Sequence, residues 1–410
     1  MLALFIIGDT AARAQSAASD SGAPPAITSA LSYTGEVVSD LAGGARHGTA
    51  YAGAAAAQFT LGLRRLAGWR GARVFVFLLD THGNSPGDYA GDAQGVSNLQ
   101  APARLRLEEM WLQQNLLDNR LSVLAGLYDL NSEFYRLQSA ALFVNSSFGM
   151  GPELAQSGVA GPSIFPNTAV GTRLDFKSSR NVVWRAAVLD GAPVSRAHGA
   201  SRVFARGDGG LFVGEVALLE RPDTIGMTHS PRFFAGRGSV HPYAGKIAVG
   251  AWYYTARFPD LSDTLASGAP VHHRGSGGAY IIGDRMMWSA GKGSARAVMA
   301  FVQLGLGDSR VNRIGSYAGG GLTLSAPIES RTQDQLGLAF AAARNGSHYD
   351  RARAASDLPA GSETALELTY LVHISDWLAL QPDLQYVINP GNAPTARNAL
   401  VPGLRVALSH

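Results

Sequence analysis

The chain has 410 residues, of which 46% are hydrophobic and only 16% charged, and its formal net charge is +3. A soluble surface draws on roughly 25% charged residues, so a large solvated globule is poorly supplied, and the apolar content with low net charge excludes disorder. Cys is absent, which removes disulfide scaffolds, thiolate metal sites and Cys nucleophiles; the 34 Lys and Arg are spread along the chain, so no nucleic-acid footprint forms.

The chain opens on the apolar run Met1-Leu2-Ala3-Leu4-Phe5-Ile6-Ile7. Ala12-Arg13-Ala14-Gln15 follows, a small-x-small pattern of signal-peptidase cleavage. The positive n-region is missing and Asp9 interrupts the run. Residues 1–14 therefore read as a clipped export signal, and residues 15–30 as a flexible Ser/Ala/Pro-rich segment. The bland alternative is a disordered tail. No later window approaches the ~18 uninterrupted apolar residues of a membrane helix. Two classes fit: a secreted β-rich protein, or an outer-membrane β-barrel.

Period-two alternation recurs after residue 30 in segments of about 10 residues, the length of a tilted membrane strand. About sixteen such segments start near Ser32, Thr49, Arg73, Ala103, Leu121, Ala169, Val182, Leu211, Tyr243, Gly278, Arg296, Tyr317, Gln335, Ala365, Trp377 and Ala399. In Leu378–Tyr386 the even positions are apolar, and the odd positions include Gln381, Asp383 and Gln385. Successive strand side chains face opposite sides, so one face is greasy and the other forms hydrogen bonds. Leu366, Leu368, Tyr370, Val372 and Ile374 oppose Glu363, Glu367, Thr369 and His373 in the same way.

The connections alternate short and long, as periplasmic turns and outer loops do in such barrels. Short turns fall at Asn115–Arg120, Ser178–Arg180, Gly291–Gly293 and Ser375–Asp376. Long links fall at Thr81–Pro102, Leu130–Thr168, Gly191–Gly210, Pro259–Gly277 and Asn345–Glu363. Glu220–Pro242 breaks the pattern: it should be short and is not. Trp69, Trp111, Tyr128, Trp184, Trp252, Tyr253, Tyr254, Trp288, Trp377 and Tyr386 lie at segment ends, which suits interfacial girdles. The expected fold is all-β, a transmembrane antiparallel barrel of about 16 strands over residues 31–410.

The most informative link reads Tyr128-Asp129-Leu130-Asn131-Ser132-Glu133-Phe134, then Ser139-Ala140-Ala141-Leu142-Phe143-Val144-Asn145-Ser146-Ser147-Phe148-Gly149. It continues Gly151-Pro152-Glu153-Leu154-Ala155-Gln156-Ser157-Gly158 and ends Gly161-Pro162-Ser163-Ile164-Phe165-Pro166. With Gln94–Asn98 and Glu109–Leu112, Arg185–Gly191, and Asp383–Gly391, it resembles the carbohydrate-selective outer-membrane porin family, the OprB type. The resemblance covers Tyr33 to the C-terminus. It implies a sixteen-stranded barrel in the cell outer membrane, surrounded by lipid. It also implies passive diffusion of glucose and related mono- and disaccharides, with residues 129–168 folded inward as a constriction loop. Ser139–Phe148 is apolar enough to pack on the wall, leaving Asp129, Asn131, Ser132, Glu133 and Arg136 for the water. The resemblance implies an aromatic last residue; the chain ends Ala407-Leu408-Ser409-His410.

A sugar hydroxyl taken from water needs a replacement partner. A sugar-preferring neck should therefore carry paired acids, bases and amides with little net field. Strand four supplies Arg104, Arg106 and Glu108 on one parity, with Glu109 and Trp111 marking a shift or bulge. Further lumen-parity residues are Arg173, Asp175, Arg185, Glu215, Lys246, Asp383, Gln385 and Arg405. The bland reading of each is a solvated wall charge. Catalytic motifs are absent from the sequence, and no cofactor or metal site is expected. His272-His273 is placed in a loop, and Gly319-Gly320-Gly321 lacks the Lys-Ser/Thr of a phosphate loop. Two alternatives stay open: a barrel lipid hydrolase using His373 and Ser375, and a polysaccharide export or structural barrel. Monomer and homotrimer are equally open.

Overall fold

The computed structural model describes residues 26–193, 207–220, 243–291 and 294–409. The export-signal reading lies outside these residues, as does the interior of the irregular link after Glu220. The strands are β1 (Ile27–Asp40), β2 (Gly48–Gly62), β3 (Ala72–Gly83), β4 (Arg104–Leu116), β5 (Leu121–Tyr128), β6 (Ala169–Lys177), β7 (Val182–Asp190) and β8 (Gly210–Glu220). There follow β9 (Gly245–Thr264), β10 (Pro270–Ser289), β11 (Ala297–Gly307), β12 (Ile314–Ser325), β13 (Gln335–Asn345), β14 (Ser362–Ser375), β15 (Leu378–Ile388) and β16 (Ala399–Ser409). Each pairs antiparallel with its chain neighbours, and β1 closes on β16. Closure leaves no free edge, the condition for strands to cross lipid. At the seam Glu36 stands opposite Arg405, and their side chains pair at 2.7 Å.

The alternation produces the wall. In β9, Ile247, Val249 and Tyr253 point out, and Ala248, Trp252, Tyr254 and Phe258 are buried within. Leu366, Leu368, Leu384 and Leu404 likewise face outward. Three expectations need correction. β1 starts at Ile27, inside the stretch read as flexible. The link Pro259–Gly277 is mostly strand: β9 and β10 run 20 residues each, about twice the ~9–11 a span needs. Beyond the bilayer both faces meet water, so pairing continues where the apolar pattern fades. His272 and His273 therefore sit on β10, and His273 Nε2 meets Asp260 Oδ2 at 2.7 Å.

The aromatic girdle divides. Trp69, Trp184, Trp288 and Trp377 are exposed near the inner strand ends, and Tyr253 and Tyr386 also face out. Trp111, Tyr128, Trp252 and Tyr254 are buried in the lumen. Opposite β3, Phe77 pairs with Glu109 and Leu78 with Leu107, leaving Glu108 as the bulge that the parity break suggests. The glycine run 319–321 lies in β12, where a Cβ at Gly319 would meet the Tyr317 hydroxyl at 2.2 Å. It is a small-residue wall that makes room for an inward ring.

Candidate functional site

The segment between β5 and β6 folds into the barrel. Its apolar half packs on the far wall: Phe143 and Phe148 lie 5.6 and 5.9 Å from Phe301, ring centre to ring centre. Folding inward strips water from its backbone amides, which must then find acceptors. Wall carboxylates supply them. Glu109 accepts from the Asp129 amide at 3.2 Å, and Glu215 from Tyr135 at 2.9 Å. Asp284 accepts from Gln138 at 3.1 Å and Ser139 at 3.4 Å. Glu367 accepts from Val144 at 2.6 Å and Asn145 at 2.9 Å. Where the acceptor is ionised, as Glu215 is beside Arg185 and Lys246, such a bond is about twice as strong as a neutral one.

The lumen-parity residues form two groups. Asp175, Arg185 and Glu215 stand opposite one another across β6, β7 and β8. Arg185 pairs with Asp175 at 2.8 Å and Glu215 at 3.2 Å, and Lys246 lies 3.6 Å from Glu215. Lys246 Nζ also donates to the Arg136 carbonyl at 2.8 Å. Arg173, fully buried, meets Glu133 at 2.6 Å. Opposite them, Arg405 donates to Asn98 Oδ1 at 2.8 Å and Gln385 Nε2 to the Val96 carbonyl at 2.7 Å. Asp383 accepts from Gln385 at 3.0 Å. The first partners of these side chains are thus each other and the inward loops.

Within the constriction loop, Asp129 and Asn131 are buried rather than turned to water, because Asp129 caps the Asn131 amide and Asn131 bonds the Gly149 carbonyl at 2.8 Å. Glu133 is drawn to Arg173; Ser132 and Arg136 stay half-buried. Arg104 is exposed at the outer start of β4. Arg106 ties the two loops together through the carbonyls of Pro166 at 2.7 Å and Pro102 at 2.9 Å. Glu108 is buried at the bulge, its carbonyl bonded by Thr168.

A second loop, residues 84–103 between β3 and β4, also turns inward. Glu363 holds it by the amides of Ala93 at 2.7 Å and Gln94 at 3.0 Å. Between the two loops lies a cavity of about 420 Å³. Asp88, Asp92, Asn98, Gln100 and Gln156 line it, with Phe165 as an aromatic surface. Burial pushes the Asp92 carboxyl up to about 6, against the pull of the Gly95, Val96 and Gln94 amides.

A sixteen-stranded barrel narrowed by inward loops matches known proteins along its length. The model of the carbohydrate-selective porin family, OprB, matches residues 46–409. The chain belongs to the OprB family of carbohydrate-selective porins. Porin B of Pseudomonas aeruginosa is 24% identical over 92% of this chain and 86% of its own. The structure of Pseudomonas putida OprB at high pH superposes with a TM-score of 0.80, at 20% identity, covering 94% of each chain. The outer-membrane channel DcaP of Acinetobacter baumannii gives 0.54 at 10% identity, over 94% of this chain and 97% of that one. The porin is an integral β-barrel of the outer membrane, as its family and fold require.

Sequence reasoning missed the carboxylate clamps Glu109, Asp284, Glu363 and Glu367, and the cavity role of the β3–β4 loop in this porin. Glu363 and Glu367 carried a signal, since both stand at lumen parity on β14. The hydrolase pair is not assembled: buried Ser375 Oγ and His373 Nδ1 are not bonded to each other.

Proposed function

We propose that glucose-sized sugars cross the porin by passive diffusion along the cavity between the two inward loops. The observation that carries this reading is the cavity's lining. Gln100, Gln156 and Asn98 offer amide donors and acceptors, Asp88 and Asp92 offer acceptors, and Phe165 offers an aromatic face. That set replaces water around hydroxyls while the ring covers apolar sugar C–H surface. Two acids and, among the described residues, no Lys or Arg line the cavity, so neutral sugars are favoured over sugar acids. The volume falls in the range of small-molecule sites, roughly 300–1,000 Å³.

The test is sugar-dependent swelling of liposomes holding the porin. Monosaccharides should enter faster than disaccharides. Ala155→Trp, which puts a ring into the cavity from its wall, should cut monosaccharide entry severely. Unchanged entry through that variant would send the sugar path elsewhere.

A further inference from the structure

The inner rim of the barrel carries its exposed positive charge on one arc. Among the described residues, the adjacent turns β2–β3, β4–β5 and β6–β7 expose Arg64, Arg65, Arg70, Arg120 and Arg180 against one acid, Asp118. Hydrogen bonds join these turns into a single surface. The Asn115 amide donates to the Gly71 carbonyl at 2.8 Å, and Gln114 Nε2 to that of Arg70 at 3.1 Å. Arg120 donates to the carbonyls of Lys177 at 3.3 Å and Ser178 at 3.2 Å. Elsewhere on this rim the described charges pair off: Glu220 with Arg285, Arg296 with Glu329 and Arg331 with Asp334. Asp376 adds an exposed acid there.

The arc lies where the wall meets lipid. Arg173 and Asp175 are buried inward, so Leu174 and Phe176 face out at the inner end of β6, and Trp184 stands opposite Phe176 on β7. The Arg120 guanidinium lies 5.8 Å from the centre of the Phe176 ring. Its two carbonyl bonds hold it on the lipid side of the rim. A guanidinium has five N–H donors, so most of them stay open to a ligand. Leu66, Trp69, Leu116 and Leu117 are exposed on the same turns. Apolar groups interleaved with Arg fit the boundary between acyl chains and headgroups.

We propose that this arc binds acidic phospholipid, with the headgroup phosphate on Arg120 and the acyl chains along Phe176 and Trp184. Guanidinium and phosphate match through two parallel hydrogen bonds. Arg180 on one side, and Arg64 and Arg70 on the other, have no acidic partner among the described residues. They select a net anionic headgroup over a zwitterionic one, since each basic side chain near a membrane surface attracts anionic lipid. A protein docked from the water would reach the turns but not a ring that faces hydrocarbon. A lipid reaches both.

The full-length porin, stripped of lipid in mild detergent, is titrated with phosphatidylglycerol and with phosphatidylethanolamine of the same chain length, and native mass spectrometry reads the bound lipid. Phosphatidylglycerol should bind about tenfold more tightly. The double change R120Q with R180Q should remove most of that preference, and so should R64Q with R70Q on the neighbouring turn. R296Q, on the paired part of the rim, should keep it. Inorganic phosphate should not displace the lipid. Circular dichroism of the strands shows that each variant is folded. Equal binding of the two lipids by wild type, arc variants indistinguishable from R296Q, or displacement by inorganic phosphate would overturn the lipid site.

Discussion

The Asn145 amide donates to Glu367 Oε2 at 2.9 Å, joining residues 222 apart in sequence across the lumen. Val144 occupies the other oxygen at 2.6 Å. One wall carboxylate therefore saturates two consecutive amides of the constriction loop. Replacing it by Gln turns a donor toward at least one of them. Glu367→Gln should loosen the loop by roughly 2–3 kcal/mol, the range for charged hydrogen bonds and orphaned amides. Planar-bilayer recordings should show larger and noisier single-channel currents. Currents matching wild type in size and noise would mean that the loop is held elsewhere.

Asp92 lines the cavity with Asp88, and burial pushes its carboxyl up to about 6. Above that value the carboxylate repels sugar acids; below it the group is neutral. Glucuronate entry relative to glucose should therefore rise as pH falls from 8 to 5. Asp92→Asn should show the pH 5 behaviour throughout, with a relative rate up about fivefold, as ~1 kcal/mol of repulsion is lost. Liposome swelling in the two sugars measures both effects. An Asp92→Asn variant that retains the wild-type pH profile would place the titrating group elsewhere.

Much of this was legible because bilayer and water impose opposite demands on neighbouring residues. Gln381, Asp383 and Gln385 fall inward because Pro382 and Leu384 must fall outward. The inward loop was implied by the resemblance to the porin family, and its length and apolar middle, Ser139–Phe148, were compatible with that path. The clamps were not legible, because which amide meets Glu367 or Asp284 depends on a loop path across the lumen. The β3–β4 loop hid for a related reason: Asp88, Asp92 and Gln100 follow no period and converge only once Glu363 and Arg106 fix the chain. The β9–β10 hairpin hid because strands above the bilayer need no apolar face.

Gly305 on β11 is a notch for the constriction loop. A Cβ there would lie 1.9 Å from Glu153 Oε1. Glu153 belongs to the short helix Pro152–Ala155, so an added methyl pushes that helix off the wall. Gly305→Ala should destabilise the loop by about 1–3 kcal/mol, the usual range for overpacking. The barrel should keep its strand content by circular dichroism while its conductance changes. An unaltered channel would show that the helix has room to retreat.

Glu153 also gives this contact a pH dependence. Burial pushes its carboxyl up to about 7 from an ordinary 4.5, although neighbouring amides and the Tyr135 hydroxyl pull it down. Below pH 4.5 the group is protonated whether the chain is folded or not, and the folded state keeps its full stability. Between 4.5 and 7 the unfolded chain releases the proton first, so stability falls as pH rises. Above 7 both forms are ionised and the loss is complete, at most roughly 3 kcal/mol for a shift of this size. Glu153→Gln removes the titrating group without emptying its site. Wild-type thermal unfolding in detergent should therefore come at lower temperature at pH 8 than at pH 5. The Gln variant should be flatter across that window, and equal slopes would show that Glu153 is already ionised in the folded barrel.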